Sequence, residues 1–101
     1  MQSTQKTYFV YIIECSNGSL YTGYTTDVER RYQEHVDGSI KCKYTRSFPP
    51  KQLVAYWDVG HDLSQALKIE YRIKKLPKKK KIKLINDPES ILVPLMEQLP
   101  I

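Results

Sequence analysis

Glu70 stands where a core residue belongs. Leu63, Ala66, Leu67 and Ile73 trace an apolar stripe at roughly 100° per residue, and Glu70 falls in its middle. A carboxylate facing a core is costly unless it is paired or bound to a cation. Two readings follow: a buried ion pair, with Arg31 as the partner, or a carboxylate that ligates a metal such as Mg²⁺ together with phosphate oxygens. Arg31 and His35 lie one turn apart on the same side of an earlier helical segment as Val28, Tyr32 and Val36. The arginine offers a fork for a phosphate and the histidine can hydrogen-bond or carry a proton, although either alone would ordinarily be a surface group. Tyrosines complete the set. Four of the eight fall between Tyr8 and Tyr24. A phenol with a pKa of about 10 accepts a proton near neutrality only if a nearby cation lowers that value, which a metal on Glu70 would do. Tyr8 and Tyr56 read as core or sheet-face residues, and Tyr24 and Tyr71 stay undecided.

The elements that must position these groups are legible in outline. Residues 7–15 alternate with both faces apolar, Tyr8, Val10 and Ile12 on one and Phe9, Tyr11, Ile13 and Cys15 on the other, as in a strand covered on both sides. "SNG" at 16–18 is a turn and residues 19–24 are a second strand. Thr26 and Glu29 form a capping box that opens a helix ending before Gly38. Residues 39–51 read as a loop, 53–59 as a third strand, 63–75 as a helix opened by Asp62 and stopped at Pro77, and 78–85 as a short further helix. The order ββαβα with an extra C-terminal helix predicts an α+β fold, a small three-stranded antiparallel sheet flanked by helices. One domain spans residues 6–85. The apolar tail 86–101 packs on it or forms an interface.

The turn decides whether two phenols can share a site. A two-residue Asn17-Gly18 turn sets Tyr21 opposite Glu14 and puts Tyr11 and Tyr21 on opposite faces. A three-residue loop with Gly18 in the left-handed conformation sets Ile13 opposite Tyr21 and Tyr11 opposite Gly23, all on one face. We expect the longer loop, with both tyrosines on the side bearing Arg31 and Glu70 and with Gly23 leaving room for a phosphate.

Composition narrows the partner. The chain has a net charge of +5, with 41% hydrophobic and 27% charged residues, as in a soluble globular protein. Residues 41–51 hold four bases and no acid, and residues 68–83 hold nine bases and one acid. Such blocks point to a polyanion, nucleic acid first, over the ordinary solvated face of a lysine-rich helix. No stretch is long enough to span a bilayer, and "MQSTQKTYF" lacks the layout of a signal peptide, so a cytoplasmic protein with no membrane partner is expected. Cys15 and Cys42 read as reduced thiols.

The same residues resemble a known pattern. "FVY" at 9–11 and "YTG" at 21–23 resemble the two halves of the signature of the GIY-YIG nuclease superfamily, with Tyr11, Tyr21 and Gly23 matching its letters. "TTDVERRYQEH" is similar to the helix that follows, its arginine at Arg31. "ALKIEYRIKKL" is similar to the later helix that carries the metal-binding glutamate, here Glu70, and "KYTR" at 43–46 resembles a segment of small stand-alone bacterial members. Phe9 stands where the signature has its first glycine, and Tyr24 where DNA-repair members related to excinuclease C carry a lysine. Asn86 is the candidate for an asparagine that contributes in some members.

The resemblance implies a metal-dependent endonuclease, selective for structure rather than sequence, using one Mg²⁺ or Mn²⁺ on Glu70. Tyr11 or Tyr21 would be the general base, Arg31 would stabilise charge on phosphorus, and His35 fills a position where members carry His or Tyr. Nucleic acid, DNA in preference to RNA, would be held through Gly23, Lys41, Lys43, Arg46, Lys78, Lys79, Lys80 and Lys81 by a monomer or a weak tail-mediated dimer. The alternatives are a nucleic-acid-binding module with the nuclease fold but little cleavage, and an interaction domain that dimerises through residues 91–101.

Overall fold

The computed structural model describes residues 5–39 and 42–97. Strands β1 (Phe9–Cys15) and β2 (Leu20–Thr25) lead into helix α1 (Val28–Asp37), a one-turn helix α2 (Lys43–Ser47) and strand β3 (Pro50–Asp58). Helices α3 (Leu63–Lys74), α4 (Lys78–Asn86) and α5 (Pro88–Glu97) follow. The three strands form an antiparallel sheet in the order β2-β1-β3, which is the expected α+β class.

The hairpin takes the longer loop. Gly18 has φ of 84°, the Cys15 N–H donates to Ser19 O at 2.9 Å and the Gly18 N–H to Cys15 O at 2.8 Å. Asn17 Oδ1 accepts from both the N–H and the hydroxyl of Ser19. Ile13 therefore opposes Tyr21 and Tyr11 opposes Gly23.

Alternation along β1 divides the core in two. Val10 and Ile12 pack with Val59, Ala66, Ile69, Ile73, Leu84 and Leu95 from the α3, α4 and α5 side. Tyr11, Ile13 and Cys15 face the other way, against Tyr21, Tyr32 and Leu53. Tyr8 leans on the first cluster, while Tyr56 is an exposed sheet-face residue whose ring meets Phe9 edge-on.

Several boundaries differ from the sequence reading, each for a local reason. The cap of α1 is Asp27, which accepts from the Arg30 N–H at 3.0 Å, one position beyond the expected Thr26. Gly38, at φ of 72°, closes that helix as anticipated. Val36 is exposed, and the inward residue of α1 is His35. On α3 the buried stripe is Ala66, Ile69 and Ile73, with Leu63 and Leu67 exposed, so Glu70 borders the stripe instead of centring it. The expected 39–51 loop contains α2 and the start of β3, whose first residue, Pro50, needs no ladder donor there. Pro94 sits inside α5, where Ile91, Leu92 and Leu95 pack on the core and override the missing N–H.

Because Gly18 occupies the left-handed region, Gly18→Ala should cost about 1 kcal/mol. Urea denaturation should show a lower midpoint with an unchanged slope.

Candidate active site

Four predicted site residues meet on the α1 face of the sheet. The Tyr11 phenol lies 2.8 Å from His35 Nε2, and His35 Nδ1 lies 2.6 Å from Thr45 Oγ1. The Thr45 hydroxyl donates to Cys42 O at 3.2 Å. With its only proton committed there, Thr45 accepts from His35, so Nδ1 carries the ring proton and Nε2 is the acceptor. The Tyr11 O–H must then be the donor to Nε2, while its oxygen accepts from Arg31 Nε at 3.4 Å. Arg31 Nη1 also donates to Glu34 Oε1 at 2.9 Å.

Each group titrates as its surroundings demand. Burial pushes the Tyr11 phenol above its ordinary value, and the Arg31 hydrogen bond only partly offsets that. Burial and then the Arg31 charge lower His35 from 6.5 to about 4, so it is a neutral base at pH 7. For Arg31 burial opposes the charge, and hydrogen bonds to Glu34 and Tyr11 outweigh it.

Tyr21 is arranged differently. Its ring lies 6.4 Å from that of Tyr11, 5.2 Å from that of His35 and 5.5 Å from that of Tyr44, on which it stacks. Tyr11 is only 2% exposed, whereas Tyr21 is half-buried. Burial raises the Tyr21 pKa, Arg31 lowers it, and the Glu70 carboxylate raises it again, which brings Glu70 within electrostatic reach of this phenol.

Glu70 itself belongs to the other layer. Its helix packs beneath the sheet through Ala66, Ile69 and Ile73, so the expectation that Glu70 shares the tyrosines' face is corrected: it stands on α3 where that helix packs against the β2 edge strand. The side chain is 15% exposed, and Lys74, itself well exposed, approaches no closer than 3.8 Å. Arg31 pairs with Glu34, not with Glu70. Burial raises the Glu70 pKa. One partly buried carboxylate, paired among the described residues with the exposed Lys74 at 3.8 Å, suits a divalent ion that takes its other ligands from phosphate and water. Among the described residues no cluster of three or more His, Cys, Asp or Glu side chains could cage such an ion alone.

Other predicted contacts fall out differently. A Cβ at Gly23 would lie 2.6 Å from Tyr11 Cζ, so the missing side chain makes room for the Tyr11 ring and leaves no gap for a phosphate. Lys81 is buried and donates to Leu20 O at 3.1 Å, and Lys78 donates to Gly18 O at 2.6 Å. Buried and bonded to a carbonyl of β2, Lys81 is a structural donor. Lys79, Lys80, Lys43 and Arg46 are exposed, and Lys41 lies outside the described residues. Asn86 ends α4. A depression of about 370 Å³, lined by Tyr24, Thr25, Thr26, Arg30, Arg31 and Glu34, opens beside the site.

Sequence reasoning missed Glu34 and Thr45. Glu34 was readable from its spacing to Arg30 and Arg31. Thr45 lies within the "KYTR" segment at 43–46 that carries part of the resemblance, but that likeness assigns it no role.

Comparison with known proteins matches the GIY-YIG catalytic domain over residues 7–83. The chain belongs to the GIY-YIG family. It is 46% identical over 79 residues to a UPF0213 protein of Halalkalibacterium halodurans, covering 78% of this chain and 82% of that one. A UPF0213 protein of Haloquadratum walsbyi is 47% identical over 87 residues, covering 86% of this chain and 96% of that one. The solution NMR structure of a UPF0213 protein from Bacillus halodurans superposes with a TM-score of 0.50 at 45% identity, over 79% of this chain and 83% of that one. The GIY-YIG match ends at residue 83, so α5 lies beyond it. No helix among the described residues is long and apolar enough to cross a membrane.

The His35 titration carries a stability signature. Between pH 6.5 and about 4 the unfolded chain binds a proton at His35 that the folded chain does not. This contribution is therefore complete above pH 6.5 and is lost as pH falls through about 4, a loss of about 3 kcal/mol. Denaturation at pH 7 and pH 4.5 should show that loss, and His35→Gln should flatten it.

Proposed function

We propose that this GIY-YIG domain hydrolyses phosphodiester bonds in nucleic acid, taken as DNA, with one Mg²⁺ or Mn²⁺ held by Glu70. The observation that supports the reading is the partly buried Glu70 carboxylate, whose Lys74 partner is exposed and stands off at 3.8 Å, and which acts electrostatically on Tyr21. A divalent cation there would supply Lewis acidity toward phosphate oxygens and reverse the field that Glu70 exerts on the phenol.

The half-buried phenol and the sealed one divide the work. With Arg31 and a cation on Glu70 favouring its ionised form, Tyr21 would lose its own proton to solvent and, as the phenolate, accept the proton of the attacking water. Tyr11 has no room to meet water. It donates to His35, accepts from Arg31, and so sets the position of the guanidinium. Arg31, at the wall of the depression shared with Arg30, neutralises the charge that develops on phosphorus. His35, held as the neutral Nδ1–H tautomer, keeps positive charge away from the ring of Tyr21, so Arg31 and the cation control that phenol. Lys43, Arg46, Lys79 and Lys80 contact the backbone without reading sequence.

Glu70→Gln should lower metal-dependent nicking of supercoiled plasmid by about 100-fold or more while leaving the melting temperature equal or higher, because burial disfavours the charged form. Wild-type nicking by this variant overturns the metal-ligand role. Binding without nicking by the wild-type protein favours the module that binds but does not cleave.

Tyr21→Phe should lower turnover by about 100-fold with little change in KM, whereas Tyr11→Phe should lose stability along with activity because His35 Nε2 is left without its donor. Turnover and urea midpoints measured on both variants check this division, and full turnover by Tyr21→Phe would return the base role to Tyr11.

A further inference from the structure

The aromatic contacts do not stop at the catalytic pair. Tyr21 stacks on Tyr44 at 5.5 Å with an interplanar angle of 23°, and Tyr44 meets Phe48 at 5.2 Å. The last two rings are each 39% exposed and touch one another, so they form a contiguous aromatic patch and not two scattered surface residues. Tyr44 and Phe48 stand four residues apart, at the start and just past the end of α2, so their rings project on one side. The Tyr44 hydroxyl is tied to Ser19 Oγ at 2.7 Å, which fixes the ring to the hairpin turn whose Gly18 carbonyl accepts from Lys78 of α4. Around the rings Lys43, Arg46 and Lys51 are exposed, and residues 41–51 contain no acid.

Resting on the nucleic-acid reading above, we propose that Tyr44 and Phe48 form a stacking platform for unpaired nucleobases, so that the strand entering the Tyr21 site is single-stranded there. Exposed ring faces in a basic surface match a ligand that alternates π-faces with negative charge. An unpaired strand offers both, whereas a duplex buries its base faces and presents phosphates alone. Stacking on a ring tolerates every base. Continuity from Phe48 through Tyr44 to Tyr21 leads the strand to the phenol at the reacting position.

Fluorescence anisotropy with a labelled mixed-sequence 20-nucleotide DNA, measured on the full chain in EDTA, tests the platform without cleavage. The single strand should bind at least about 5-fold tighter than the same strand in its duplex, and a version with abasic residues should lose that advantage. Phe48→Ala and Tyr44→Ala should each weaken single-strand binding by about 5- to 100-fold and change duplex binding by less than about 2-fold, while Tyr44→Phe keeps wild-type affinity. Equal affinity for both DNA forms, or wild-type binding of the abasic strand, overturns the platform. Loss in the alanine variants that falls equally on the duplex overturns it too. Failure to bind either form overturns the nucleic-acid reading itself. The abasic comparison needs no protein variant, so it stands even if an alanine substitution perturbs α2.

Discussion

The hydrogen bond from the Tyr11 phenol to His35 Nε2 is the constraint around which the rest of the site is built. A phenol this deeply buried must donate to something, and a histidine that accepts at one nitrogen must donate at the other. The second demand is met by Thr45, whose hydroxyl in turn donates a hydrogen bond to the Cys42 carbonyl. One buried O–H thus ties β1 to α1 and α1 to α2. Arg31 closes the set by donating to the same phenol oxygen, and Gly23 gives the ring its space. Such a network is stable because every member is satisfied, and each member's orientation is dictated by its neighbour.

What was legible in the sequence and what was not divide along physical lines. Hairpin register could be read because loop length and one glycine determine which residues face each other, and Gly18 obliges. The α+β order could be read because alternation and helical spacing are strong over β1 and α3. The helix α2 could not be, since a single turn has no periodicity of its own and is held by the Thr45–His35 bond. Nor could α5, where Pro94 argued for a break and the burial of Leu95 outweighed it. For Glu70 the spacing marked an anomaly on a helix face without telling which layer that helix would join. Leu63 and Leu67, exposed in the structure, pulled the inferred stripe toward the glutamate.

Division of the core into two layers accounts for the chemistry available. The phenols, the arginine and the histidine come from the α1 side, and the carboxylate comes from the α3 side, so they can cooperate only at the rim, where the sheet ends at β2. A rim position keeps Glu70 partly desolvated, which strengthens its field, while leaving it open to a ligand. The local rule against a carboxylate beside a core is broken at the place where the proposed reaction needs a charge.

The lysines at the start of α4 have a consequence separate from charge. The strand β2 is an outer strand, and its unpaired carbonyls would accept a strand from another molecule. Lys78 and Lys81 donate to the carbonyls of Gly18 and Leu20, at and beside the beginning of that strand. At the opposite border β3 opens with Pro50 and Lys51, a residue without a donor followed by a cation. A three-stranded sheet this small is bounded on both sides by groups that discourage sheet-to-sheet growth, so the lysine-rich segment also protects the molecule against aggregation.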